Sequence, residues 1–214
     1  MPVVVQKYNF FTYFCRNGQV RMNRRLFLLA ILVLAALPAK AQFYLVGDDP
    51  GSLRWYSIET PYYQIIYPEG ADSLARQYGR RLEQFRVPVG RSIGFIPGQD
   101  QRRKMPIVLH NRHPYANGSV SWAPTRFDLY TLPDPYAPDP APWDIQLVSH
   151  EPRHQAQMQF SGSGFMKPLT HVIGQAWNPL GWFIYMGSTQ GEGDAVVAET
   201  GVAAGTRART ADFL

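Results

Sequence analysis

An α+β domain is the fold class predicted by this 214-residue sequence. Three observations predict it. Aromatic and β-branched residues cluster from Trp55 to Tyr67 with the alternation of extended chain. Apolar residues recur at helical spacing from Leu74 to Phe85. The segments then run strands, helix, strands and helices, an order that argues for an α+β domain.

The chain opens with an export signal. Arg24 and Arg25 precede an apolar run from Leu26 to Leu37, closed by Ala39-Lys40-Ala41. A charged start, a short apolar stretch and an A-x-A-like end are the parts of a cleavable signal peptide. The run is shorter than the ~20 residues a membrane span needs, so no stable anchor is expected after cleavage. Such a leader more naturally begins at Met22. Residues 1–21 are therefore read as an upstream extension, 22–41 as the signal and 42–214 as the exported domain, destined for the periplasm or the exterior.

Export changes the charge argument. Six of the 21 Lys and Arg precede Gln42 and none of the 16 Asp and Glu does, leaving 15 basic against 16 acidic residues, a net −1. The basic character belongs to the leader, and nucleic acid is excluded as an expected partner. Cys15 is the sole cysteine and also lies ahead of Gln42, so the exported part can form no disulfide and carry no lipidated cysteine.

Trp55 to Thr60 and Tyr62 to Tyr67 are two predicted strands joined near Pro61, followed by a turn at Pro68-Glu69-Gly70. Asp72 or Ser73 caps a helix to about Arg86 whose buried stripe is Leu74, Tyr78, Leu82 and Phe85; Arg76, Arg80, Arg81 and Glu83 face solvent. Residues 87–104, rich in Gly, Pro and charge, are expected as loop. Pro106 to His110 is a short strand, Asn117-Gly118 a turn, and Ser119 to Trp122 with Phe127 to Thr131 a further strand pair. Five prolines between Pro133 and Pro142 make a stiff connection. Trp143 to Phe160 is helical, ended by Gly162 and Gly164; Pro168 to Trp177 is a short helix, and Glu192 to Ala204 the last.

The helix from Trp143 carries His150-Glu151-Pro152-Arg153-His154, an H-E-x-x-H motif. Histidines four apart share a helix face and can grip one Zn²⁺, while the intervening glutamate can polarise a water on the metal. Catalytic zinc ordinarily takes a third protein ligand. Glu192, 38 positions after His154, is the best candidate, with Asp194 and Glu199 as further carboxylates; either of these could hold a ligating imidazole by its other nitrogen. Glu199 follows Glu192 by seven positions and shares its helix face.

His110 and His113 read as a strand-end and a loop histidine, and His171 as structural or exposed. Trp122, Trp143, Trp177 and Trp182 read as core or pocket aromatics, and Arg207 and Arg209 as a solvated tail.

Several stretches together resemble the secreted gluzincin-like domains of Bacteroidetes that precede a TolB-like β-propeller. They are Tyr63-Gln-Ile-Ile-Tyr-Pro-Glu-Gly-Ala-Asp72, Pro106-Ile-Val-Leu-His110, Asn117-Gly-Ser-Val-Ser-Trp-Ala-Pro124, His150-Glu-x-Arg-His154, Trp182-Phe183 and Glu192-Gly-Asp-Ala-Val-Val-Ala-Glu-Thr200, spread over residues 55–210. The resemblance implies a thermolysin-like zinc peptidase fold, with His150, His154 and Glu192 as zinc ligands and Glu151 as general base. It implies hydrolysis of a peptide or protein substrate, in which Glu151 takes a proton from water and returns it to the leaving amine. An extended substrate could pair with the strand near Asn117 to Trp122.

The chain departs from that pattern in three places. Pro152 stands where a bulky apolar residue is expected; it removes the bond to the Val148 carbonyl, and is expected to be tolerated only if the helix begins near Glu151, with His150 turned away from His154 otherwise. Ile184 to Gly191 separate Trp182-Phe183 from Glu192, where the family has almost no spacer. The chain ends at Leu214, where a propeller would follow, so it is read as truncated. These departures keep two rivals open: a degenerate module that binds without hydrolysing, and a structural module that packs on a propeller.

Overall fold

Five strands form one sheet in the order β1-β2-β3-β5-β4: β1 (Trp55–Glu59), β2 (Tyr63–Pro68), β3 (Met105–His110), β4 (Gly118–Trp122) and β5 (Thr125–Tyr130). The structure is a computed structural model and describes residues 49–206 except 100, 102, 123, 137–140, 169–173, 175–177 and 186. The expected extension and signal peptide, most of the helix expected at Pro168 to Trp177, His171, Trp177, Arg207 and Arg209 lie outside the described residues. The chain divides into units 1–43 and 44–214, and all described residues belong to the second.

The outer pairs, β1 with β2 and β4 with β5, are antiparallel, while β2 with β3 and β3 with β5 are parallel. The mixed α+β class is as expected. Parallel pairing needs a crossover, and the one between β2 and β3 contains α1 (Asp72–Arg91). Alternate residues of the central strands are sealed from solvent: Tyr63 and Ile65, Ile107 and Leu109, Phe127 and Leu129. They pack with Tyr78, Leu82 and Phe85 of α1 and with Leu147 and Val148 of α2 (Trp143–Ser161). No described helix is long and apolar enough to cross a membrane.

Helix α1 overruns the loop expected at residues 87–104 by one turn and passes through Pro88. That last turn is tied down from outside: Arg153 Nη1 donates to the Val89 carbonyl at 2.7 Å, and Arg86 Nη1 to the Pro97 carbonyl at 3.3 Å. Gly90 has no room for a side chain, since a Cβ there would lie 2.8 Å from Ile96 Cα. Tertiary bonds hold in helix a segment whose Pro and Gly content argues for loop.

Two shorter expectations also change. Gly118 is not a turn residue but the first residue of β4, paired with Leu129. The last helix begins earlier than expected: in α3 (Asn178–Tyr185) and α4 (Gly187–Val202), the described residues of the eight-residue spacer finish α3 and build the first turn of α4. Glu192 thus lies inside α4, not at its start.

Candidate metal centre

Every residue from Gln146 to Met158 is buried. A helix enclosed on all sides is ordinarily apolar all round. Helix α2 instead encloses Gln146, Ser149, His150, Glu151, Arg153, His154, Gln155 and Gln157. Buried polar groups need partners: those of His150, Arg153 and Gln157 are met from α1 and α4, two of the four elements α1, α3, α4 and β4 packed around the helix, while the Gln155 amide makes no hydrogen bond to the described residues.

The helix is continuous through Pro152, contrary to the expected late start. Pro152 lacks the N–H that would bond the Val148 carbonyl. Packing on four sides holds the helix regardless, and His150 and His154 stay on one face with ring centroids 4.9 Å apart.

Helix α4 delivers three carboxylates to α2. Glu192 reaches the histidine pair: His150 Nε2 lies 3.3 Å and His154 Nε2 3.5 Å from Glu192 Oε2, and the two Nε2 atoms lie 3.2 Å apart. Of the three carboxylates weighed from the sequence, the structure brings Glu192 to the open side of the pair. Glu199, seven positions on and fully buried, meets His150 from behind, its Oε2 2.8 Å from Nδ1. Asp194 does not touch a histidine; it receives Arg153 through two bonds of 2.7 Å and Gln157 Nε2 at 2.8 Å.

These partners fix the tautomers. A carboxylate only accepts, so Glu199 takes the Nδ1–H of His150. Gln157 Nε2 donates to the Gly191 carbonyl and to Asp194, both at 2.8 Å, which turns its Oε1 toward His154 Nδ1 at 2.9 Å. His154 Nδ1 must then donate as well. With both rings neutral, the two Nε2 lone pairs consequently point inward at a carboxylate oxygen, so that three acceptors converge. Such a cluster calls for a cation. The edge of a tetrahedron with zinc–ligand bonds of ~2.0–2.1 Å is about 3.3–3.4 Å, and the three separations fall at 3.2, 3.3 and 3.5 Å. The donor set of two imidazoles and one carboxylate therefore fits Zn²⁺, with one tetrahedral corner left for water or substrate.

A proton answers the same demand. Hydrogen bonding to His150 and His154 holds the Glu192 carboxyl far below the usual carboxylate range, against the opposing effect of partial burial. Burial lowers the His154 pKa, but the bond to Glu192 and the charge of Glu151 outweigh it and raise the value overall. The Asp194 pKa is raised by burial and lowered further by Arg153 and Gln157, with a net fall.

Glu151 is buried and lines a cavity of about 300 Å³ together with His150, His154 and Glu192. Gly118 and Ser119 of β4 form one wall, and Trp143, Met158 and Trp182 make its apolar surface. The Glu151 carboxyl packs on Gly118 so closely that a Cβ there would stand 2.7 Å from Glu151 Cδ. Gly118 is required for contact with a carboxylate, a reason invisible in a reading of Asn-Gly as a turn. Trp143 and Trp182 are pocket aromatics, as expected.

His110 ends β3 as expected but is not a bland strand-end residue. It is buried between Asp49 at Nδ1 and Asp128 at Nε2, 3.3 Å away, and stacks on Tyr130 with centroids 4.7 Å apart. His113 is a loop histidine whose Nδ1 accepts the Tyr115 N–H at 3.1 Å. Sequence reasoning missed Gln157 and the part played by Arg153. Their signal was the polar content of a helix that the fold encloses, legible only once the enclosure is known.

The chain matches no family model, and comparison with curated proteins and with solved structures finds no match either.

Proposed function

We propose that this chain is an exported zinc-dependent peptidase domain of gluzincin type, with His150, His154 and Glu192 as metal ligands and Glu151 as general base. The observation that carries the reading is the convergence of three lone-pair atoms at tetrahedral spacing, beside a buried carboxylate in an open cleft.

A zinc ion held there supplies Lewis acidity and lowers the pKa of water toward ~7. The protein supplies the rest. Glu199 and Gln157 hold the imidazoles with their Nε2 lone pairs inward. Glu151, fixed against Gly118, accepts a proton from the attacking water and returns it to the leaving amine. Strand β4 is the sheet edge beside the cleft, so an extended peptide can pair with its outward backbone groups. Trp143, Met158 and Trp182 suit an apolar substrate side chain.

The two features that favoured a degenerate module have a local explanation. Pro152 lies within a helix that keeps both histidines on one face, and the described residues of the spacer before Glu192 belong to α3 and α4. The test is hydrolysis of a quenched peptide library by the zinc-loaded protein. Cleavage lost on chelation, restored by zinc, and reduced about 10²–10⁴-fold by Glu151→Gln supports the reading. A zinc-loaded protein that cleaves no peptide refutes it.

A further inference from the structure

Arg153, between the general base and the second histidine, contacts neither the cleft nor a proposed ligand. It is 3% exposed and commits its guanidinium to four bonds of 2.7–2.8 Å: two to Asp194, one to the Val89 carbonyl and one to Ser92 Oγ. We propose that Arg153 is a positioning residue for the metal centre, acting through Asp194 and Gln157 to hold His154 in its Nδ1–H tautomer. This rests on the metal reading above.

The chain of contacts is continuous. Arg153 anchors on the end of α1 and fixes both oxygens of Asp194. Asp194 Oδ2 accepts from Gln157 Nε2 and, together with the Gly191 carbonyl, chooses between the two orientations of that amide. In the chosen orientation Oε1 faces His154 Nδ1. The flipped amide would present its NH₂ to His154 and call for the other tautomer, with the proton on Nε2 where a metal must bind. Asp194 has only donors around it: Arg153 at both oxygens and Gln157 at one. An asparagine there would aim an NH₂ at one of these donors whichever way it turned.

Two readouts test this, one of them independent of metal. In metal-free protein at a pH where imidazole is neutral, side-chain ¹⁵N NMR should report His154 as Nδ1–H. Arg153→Leu, Asp194→Asn and Gln157→Leu should each shift it toward Nε2–H. His150, held by Glu199, should keep its tautomer; movement of both histidines would mean a merely structural disturbance and overturn the proposal. Zinc affinity should fall about 10–100-fold in each variant. The double variant Arg153→Leu/Gln157→Leu should be no weaker than Gln157→Leu alone, because both act on one link. Multiplied effects would overturn the relay. Should Arg153→Leu not fold, Asp194→Asn breaks the same link. If wild type binds no zinc yet the tautomer follows Arg153, the relay stands and the metal reading falls. If zinc binds and neither readout moves, the relay falls and the metal reading stands.

Discussion

The carboxylate of Glu199 lies 2.8 Å from Nδ1 of His150, joining residues 49 positions apart across the α2–α4 interface. Glu199 is fully buried. A charge in that place is costly unless it serves a partner, and here it directs the lone pair of the opposite ring nitrogen into the cleft.

Glu199→Gln keeps the shape and an acceptor oxygen but removes the charge that strengthens His150 as a donor. Zinc affinity should fall about tenfold or more, with the circular dichroism spectrum of the folded chain unchanged. Competition with a chromophoric chelator measures it. Unchanged affinity would show that His150 does not need Glu199.

Pro152→Ala restores an N–H opposite the Val148 carbonyl. Proline inside a helix costs about 3 kcal/mol relative to alanine. The lost burial of two ring methylenes offsets about 0.8 kcal/mol each. A net gain of about 1 kcal/mol is expected in urea unfolding. Zinc affinity should not change, because both histidines already share a face. A gain in affinity would mean that the proline distorts the site.

Gly118→Ala places a methyl group against the Glu151 carboxyl. Overpacking of this kind typically costs about 1–3 kcal/mol. The variant should bind zinc normally, since Gly118 touches no ligand in this account, yet hydrolyse peptide far more slowly because the base is displaced. Parallel zinc titration and peptidase assay separate the two effects. Loss of zinc with retained turnover would contradict the role given to Glu151.

His110 predicts a pH dependence away from the cleft. Burial lowers its pKa, but the bonds to Asp128 and Asp49 outweigh that and raise it above the ordinary 6.5. The folded value is the higher one. The ion pairs therefore stabilise fully below about pH 6.5 and are lost as pH rises through the folded value. Urea midpoints should decline over that range in wild type and decline less in His110→Gln. Parallel slopes would remove His110 as the cause.

The helices and strands were largely legible in the sequence because their periodicity was strong, as at Leu74, Tyr78, Leu82 and Phe85 in α1. The candidate cluster was legible because H-E-x-x-H sets two of its members by helical geometry, and Glu192 stands between two glycines in the segment that follows. What the sequence misjudged came from tertiary override. Pro88 and Gly90 argue for loop, yet Arg153 ties that turn into helix. Asn117-Gly118 argues for a turn, yet Gly118 is small because Glu151 packs on it. Pro152 argues against a shared histidine face, yet a helix enclosed on all sides keeps its course. The parallel pairing of β3 with both neighbours left no local signal.

Metal analysis of the purified, dialysed protein bears most directly on the central claim. Wild type should retain about one zinc per chain, the content of a site with three protein ligands, and His154→Ala and Glu192→Ala should each lose it while remaining folded. A folded wild-type chain that retains no zinc after exposure to excess metal, or variants that retain it as well as wild type, would contradict the account.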